Sequence, residues 1–332
     1  MTKLYILLLT GILFISCAKN DAEVFVAYPD DPTNDTVWVS QPSVTAPVYK
    51  IPEIFSSAPG EDSFDATSGA NMHFSNVLDI TFPAGAFKFA NGGAVTGKVK
   101  TQVTHLQKKG DFIRLALQTT SFDRLLATGG AFFIRVTKDG QELVLEPGKN
   151  ITLLIRDASP VNNMKVFYRE QILLPPVLLA INSMFTWAPG TDTSNVNVFS
   201  GQDAIGTYKG YELISKRLNW ISCNYVIDAP TNQSKTRTTV VLPLNCTNKN
   251  SLVFAVFKDH KTILQLEGYS ASKSFVVENI PENKKIILVS ISKIGEDLFL
   301  GSKEATVDKN VRVNITPEKK TKAEIERFLD AL

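Results

Sequence analysis

The sequence is short of the residues that build metal and redox centres: three cysteines and three histidines in 332 positions. His73, His105 and His260 stand at no ligand spacing, and no cysteine neighbours one at the spacing of a zinc site. No metal and no cofactor is therefore expected. An excess of one charge is lacking too. Thirty-five Lys+Arg against 33 Asp+Glu leave a net +2, which excludes a strongly basic nucleic-acid binder. There is no G-x-S-x-G elbow, P-loop or zinc-protease helix. Ser270-Ala271-Ser272-Lys273 spells S-x-x-K, but that motif needs a helical turn to aim Lys at Ser, and here it abuts the strand-like Phe275–Val277. What is present is ordinary folding material, 44% hydrophobic and 20% charged, and enough length for two domains.

The first 17 residues carry the sharpest signal. Lys3 precedes an apolar run, Leu4–Ile15, interrupted only by Thr10 and Gly11. It falls short of the roughly 20 residues that span a membrane, so it reads as a signal-peptide h-region. It ends in Phe14-Ile15-Ser16-Cys17 and then turns polar. This resembles a bacterial lipobox, which implies cleavage before Cys17 and acylation of Cys17 with palmitate-type chains. Two or three such chains anchor a protein stably where one does not.

Residues 17–65 read as a tether. Ala18–Phe64 holds six of the 16 prolines, eight acids and two lysines. Its paired carboxylates, Asp30/Asp31 with Asp35 and Glu61/Asp62 with Asp65, lack the D-x-[DN]-x-[DN]-G calcium pattern and read as solvated. An alternative makes Thr36–Ser40 or Val48–Phe55 an edge strand of the body.

From Met72 the texture is alternation. Leu78–Phe82 and Val95–Leu106 show period two, with Val95, Val99 and Val103 on one face and Lys98, Lys100, Gln102 and Thr104 on the other. His105 continues the apolar face. Asp139-Gly140 between two alternating runs signals a hairpin. The second half repeats the style in Leu218–Ile227, Thr236–Leu242, Leu252–Phe257, Ser274–Val277, Ile286–Ser292 and Val311–Ile315. The expected fold is mainly β: two antiparallel sandwich domains, 66–158 and 159–315 with a connector at about 159–205, and one C-terminal helix at 316–332. That helix reads with Thr316 as N-cap, Pro317 in the first turn, and Ile325, Phe328, Leu329 and Leu332 on one face. It packs on its own domain or docks a partner.

Four segments together resemble the ZU5-like β-sandwich module of cell-surface lipoproteins of Bacteroidetes-type bacteria. They are Asp79–Phe87 (D-I-T-F-P-A-G-A-F), Val95–Val99 (V-T-G-K-V), Thr128–Phe132 (T-G-G-A-F) and Glu146–Lys149 (E-P-G-K). The likeness spans about Ala66–Asp157. Downstream, Leu218–Asn224 resembles the G-W-I-N-C-D strand that follows the module, with departures at Asn219, Ser222 and Asn224. The resemblance brings no catalytic residue. It implies an Ig-like or ZU5-like fold and a lipid anchor in the cell envelope, on the periplasmic or surface face of the outer membrane. Asp35-Thr36-Val37 is similar to the O-glycosylation acceptor of these bacteria, at Thr36.

Glycan stacking needs exposed aromatics, and the candidates are Trp187 and Trp38; Trp220 sits mid-strand and reads as core. With Cys17 lipidated, Cys223 and Cys246 form an even count in an exported chain, which admits a disulfide. A hairpin of their two strands argues against it, since Cys246 overshoots by roughly 17 Å. The functional expectation is a non-enzymatic, lipid-anchored scaffold or interaction module with an envelope protein or glycan as partner and no nucleic acid. A surface glycan-binding protein is the alternative, and a hydrolase comes third.

Overall fold

Short β-branched and aromatic runs broken by Gly, Pro, Asn and Asp leave the chain few choices but strands and tight turns. The computed structural model describes residues 34–171, 185–203, 206–227 and 234–332, and the protein is mainly β. Cys17 and the apolar N-terminal run lie outside the described residues. In chain order the first strands are β1 (Gly60–Asp65), β2 (Ala70–Ser75), β3 (Leu78–Phe82), β4 (Phe87–Phe89), β5 (Lys98–Leu106), β6 (Thr120–Ser121) and β7 (Arg124–Lys138). Then come β8 (Gln141–Leu145), β9 (Ile151–Arg156), β10 (Lys165–Gln171), β11 (Phe185–Pro189), β12 (Asn195–Asp203), β13 (Gly206–Ser215) and β14 (Asn219–Val226). The C-terminal set is β15 (Lys235–Val241), β16 (Ser251–Phe257), β17 (Ile263–Tyr269), β18 (Ser274–Pro281), β19 (Lys285–Ile294), β20 (Asp297–Thr306), β21 (Val311–Asn314) and β22 (Glu318–Lys320). The α-helices are α1 (Lys50–Phe55), α2 (Lys109–Arg114) and α3 (Lys322–Asp330).

Two antiparallel sheets form a sandwich. One runs β1-β5-β7-β14-β10-β11, with β4, β6 and β8 alongside; the other runs β12-β13-β9-β3-β2. Their inner rows make one core: Val99, Val103, Phe132, Ile134 and Ile221 meet Leu78, Ile80, Phe82, Leu153, Ile155 and Leu213. The expected hairpin is present, with Asp139 and Gly140 at φ 50° and 79° and Lys138 opposite Gln141. Strands from both sides of the expected domain line at 158/159 share these sheets: β13 pairs with β9, and β14 lies between β7 and β10.

The third sheet runs β21-β15-β18-β17-β16-β19-β20-β22, antiparallel except for β15 with β21. It curls around its own core. On β16, Val253, Ala255 and Phe257 face that core, while Leu252, Phe254 and Val256 face the other way into a second cluster. A strand covered on both faces explains the unbroken run Leu252–Phe257.

That second cluster is a seam joining the two β bodies, and Thr36–Leu332 forms one compact unit. Phe254, Val289 and Ile291 meet Phe112 and Ile113 of α2, Ile325 and Leu329 of α3, and Ile51 and Phe55 of α1. Helix α1 lies inside the expected tether. Pro47 opens the preceding 3-10 turn, Pro52 falls in the first turn of α1, and both are sterically tolerated there. Val48, Ile51 and Phe55 then bury one face. The rest of this stretch is docked too. Glu61, Asp62 and Asp65 sit on β1, which pairs with β5, and Glu61 is 2.8 Å from Lys100. The 17–65 segment is thus no free tether over its described part, because its apolar residues have a core to enter.

The C-terminal helix starts later than its sequence suggests. Glu318–Lys320 extends the third sheet, and Thr321 is the N-cap, in a capping box with Glu324. Helix α3 packs into the seam, against α2 as well as the third sheet. A Cβ on Gly110 would lie 2.0 Å from the Leu329 carbonyl oxygen, so glycine sets how closely α2 and α3 approach.

Candidate functional site

A cleft of about 980 Å³ opens where the sandwich meets the third sheet. Four segments wall it. Arg156 ends β9 and Asp157 and Ala158 follow it, and Thr207, Tyr208 and Lys209 come from its neighbour β13. Gln107, Lys108 and Lys109 lead into α2, and Lys258–Lys261 form the turn between β16 and β17. Backbone bonds fix these walls: Asp157 N–H donates to the Lys209 carbonyl (2.9 Å) and Thr128 N–H to the Lys261 carbonyl (3.0 Å). Asp111 Oδ2 accepts from the backbone N–H of Gln107 (3.0 Å) and Lys108 (2.8 Å), locking the entry to α2. Gln107 Nε2 donates to the Arg156 carbonyl across the cleft floor (2.9 Å).

Six Lys or Arg side chains line the cleft against two aspartates. Their partners are unevenly distributed. Arg156 is engaged by the Asn76 carbonyl (2.9 Å) and Asp79 (3.6 Å), and its guanidinium lies over the Tyr208 ring. Lys258 pairs with Glu304 at 2.8 Å, and Asp259 with Lys284 at 2.8 Å. Among the described residues, Lys109 Nζ donates to the backbone carbonyls of Phe257 (2.6 Å) and Lys258 (3.3 Å), and Lys261 pairs with one carboxylate, Asp157, at 3.9 Å. Lys209 has no charged partner among the described residues. Burial pulls Lys109 below the ordinary lysine range; Asp259 opposes the shift, and the neighbouring Lys261 and Lys258 add to it. Burial lowers Lys261 too, against the pull of Asp157.

Behind this wall sits His105, stacked on Phe132 with ring centroids 5.0 Å apart. Burial lowers its pKa to about 4, so it is neutral at physiological pH, and its Nε2 has no hydrogen-bond partner. It lies part-buried on the apolar face that strand parity predicts, against the core residue Phe132. His73 is bonded to Asp79 on the surface, and His260 contacts the Tyr225 hydroxyl (3.2 Å) and Asp259 (3.5 Å). Among the described residues no three His, Cys, Asp or Glu side chains gather as a metal site.

The residues singled out from sequence fall elsewhere. Trp187 is buried, its Nε1 donating to the Gln118 carbonyl at 3.0 Å, and it packs edge-on against Trp220. Trp38 lies against Phe275, with ring centroids 5.1 Å apart. The stacking expectation therefore fails for Trp187, whose ring enters the core, while Trp38 is part-buried against the third sheet's core. Thr36 is exposed, as an acceptor must be. Cys223 and Cys246 are free thiols, each buried, in two different cores. The hairpin used to weigh their pairing does not form, since β14 pairs with β7 and β10 while β15 pairs with β18 and β21. Burial raises both thiol pKa values, which leaves them unreactive.

Exposed aromatics are found at a second place. Phe122, held at φ 52°, and Tyr269 are 65% and 54% exposed. They flank a groove of about 440 Å³ lined also by Gln118, Gln265, Glu267 and Asn279. The basic cleft and this groove both escaped sequence reading. The doublet Lys108-Lys109 and the pair Lys258 and Lys261 were the visible signal for the cleft.

No family model matches this chain, and no curated protein or solved structure matches it.

Proposed function

We propose that this protein is a lipid-anchored envelope protein that works as a non-enzymatic interaction module, with the basic cleft as its binding face. The observation that carries the reading is the cleft itself: a preformed concavity at the junction of two β bodies, with cations whose counter-charges are incomplete. Concave sites of this size at such junctions are where ligands bind. The N-terminal run ending in Ser16-Cys17 supports the anchor. Binding rather than catalysis is supported by the groups near the cleft. His105 is neutral and sealed against Phe132, the thiols are buried, and burial raises the Tyr225 hydroxyl beside His260, which weakens it as a nucleophile.

Two experiments test this. Cys17→Ala should leave the protein uncleaved or soluble; a variant that still matures and fractionates with membranes removes the anchor. Capture of partners from intact envelopes by the tagged full chain should drop with Lys209→Glu, and capture unchanged by that variant removes the cleft from the interaction.

The glycan-binding alternative rests on the Phe122–Tyr269 groove. Gln118 and Gln265 are half-buried there, and their side-chain amides have no hydrogen-bond partner among the described residues, so two aromatic faces and two amides suit a neutral sugar. Oligosaccharide binding lost in Phe122→Ala and kept in Lys209→Glu would favour this reading.

A further inference from the structure

We infer that the ligand of the basic cleft is a small, multiply charged oxyanion of the phosphate type, an inference that rests on the cleft being the binding face. Four features lead there. The first is charge. Lys109, Lys209 and Lys261 face the cleft with two carboxylates: Asp157, 3.9 Å from the Lys261 ammonium, and Asp259, which also pairs with Lys284 at 2.8 Å. An ammonium carries three donors, and Lys109 spends its own on two carbonyl oxygens without neutralising its charge. Clustered, part-buried cations of this kind are costly unless an anion joins them.

The second is the type of cation. Bidentate recognition of a planar carboxylate is the work of arginine. The one arginine in the wall is committed to Asp79, the Asn76 carbonyl and the Tyr208 ring. What remains are lysines, compact point charges that suit the evenly spread charge of a phosphoryl group.

The third is size. At about 980 Å³ the cleft exceeds what a single phosphate fills, so the ligand carries more than one charged group or a phosphorylated organic body.

The fourth is depth. Lys109 and Lys261 are half-buried, while Lys209 and Lys108 stand exposed at the rim. A flat membrane surface reaches the rim lysines and not the recessed ones, so a ligand that enters the cleft fits better than a lipid headgroup held in a bilayer.

The test is calorimetric titration of the full chain, in neutral detergent, with pyrophosphate. The expected result is saturable binding that weakens as salt is raised, with citrate binding less tightly. Lys261→Met should abolish it. Because that residue is part-buried and its variant can misfold, Lys209→Glu on the exposed rim serves as the second variant, and should weaken binding about tenfold or more. Vesicles of phosphatidylglycerol should compete no better than vesicles of phosphatidylcholine. No binding of pyrophosphate at millimolar concentration, equal affinity in Lys209→Glu, or citrate binding more tightly than pyrophosphate each overturns the inference. Competition by the anionic vesicles alone would reassign the cleft to a membrane surface. The two readings separate cleanly: partner capture lost in Lys209→Glu without pyrophosphate binding keeps the interaction face and discards the oxyanion, and the converse keeps the oxyanion site and discards the interaction face.

Discussion

The third sheet meets the sandwich in two ways. Along the seam, Phe254, Val289 and Ile291 lock against apolar side chains of α1, α2 and α3, and Arg114 ties α2 to Asp330 of α3 at 2.7 Å. Beside it, the turn after β16 and the entry to α2 face each other across a cleft rich in lysine. The same two elements serve both: α2 buries Phe112 and Ile113 in the seam, while Lys109 at its first position looks into the cleft. The seam carries the cost of holding the lysines together. Dry packing of large side chains contributes kcal/mol per residue, whereas a cluster of like charges takes some of it away. The difference identifies which surface the fold spends stability on, and that surface is the one to test for binding.

The comparison can be broken most sharply at the seam. Phe254→Ala removes a fully buried ring and should cost about 3–5 kcal/mol in chemical denaturation. A loss under about 1 kcal/mol would show that the seam is not dry packing. The next effect belongs to His105, stacked on Phe132 of the sandwich core. Its native pKa near 4 lies below the value of 6.5 for an unperturbed side chain. The native state thus favours the neutral ring, and the unfolded chain binds the extra proton. This stability is complete above about pH 6.5 and is lost as pH falls toward 4, by up to about 3 kcal/mol. The charges that face the ring are Asp111, which opposes the shift, and Lys261, which adds to it. His105→Phe should flatten that part of the pH–stability curve; an unchanged slope would place the titration elsewhere. Gly110→Ala comes third. Its Cβ collides with the Leu329 carbonyl, so α3 must shift, at about 1–3 kcal/mol with a lower Tm. Smallest is Lys209→Glu, whose exposed side chain should change stability by no more than about 0.5 kcal/mol. A larger loss would mean that Lys209 is structural.

Much of the sandwich was legible because its signals are local. Period two placed Val99 and Val103 inward, and Asp139-Gly140 marked its own turn. Helix α1 was less legible. Val48, Ile51 and Phe55 do stand at helical spacing, but Pro47, Pro52 and the acids around them suggested a tether. The sharing of sheets across residue 158 was not legible, since strand order is set by long-range pairing. Neither was the cleft, whose walls come from residues 107–109, 156–158, 207–209 and 258–261. Each run is an unremarkable polar stretch alone, and only the topology sums their charge. Trp187 misled for a physical reason: the ring that stacks on a sugar also gains most from burial, and here burial won.

The most direct test is to titrate the Lys109 and Lys261 side-chain ammonium groups by heteronuclear NMR, with and without pyrophosphate. The account predicts both below the ordinary lysine range in the free protein, and both moving upward when the anion is added. Two lysines that titrate in the ordinary range and do not respond to pyrophosphate would contradict it.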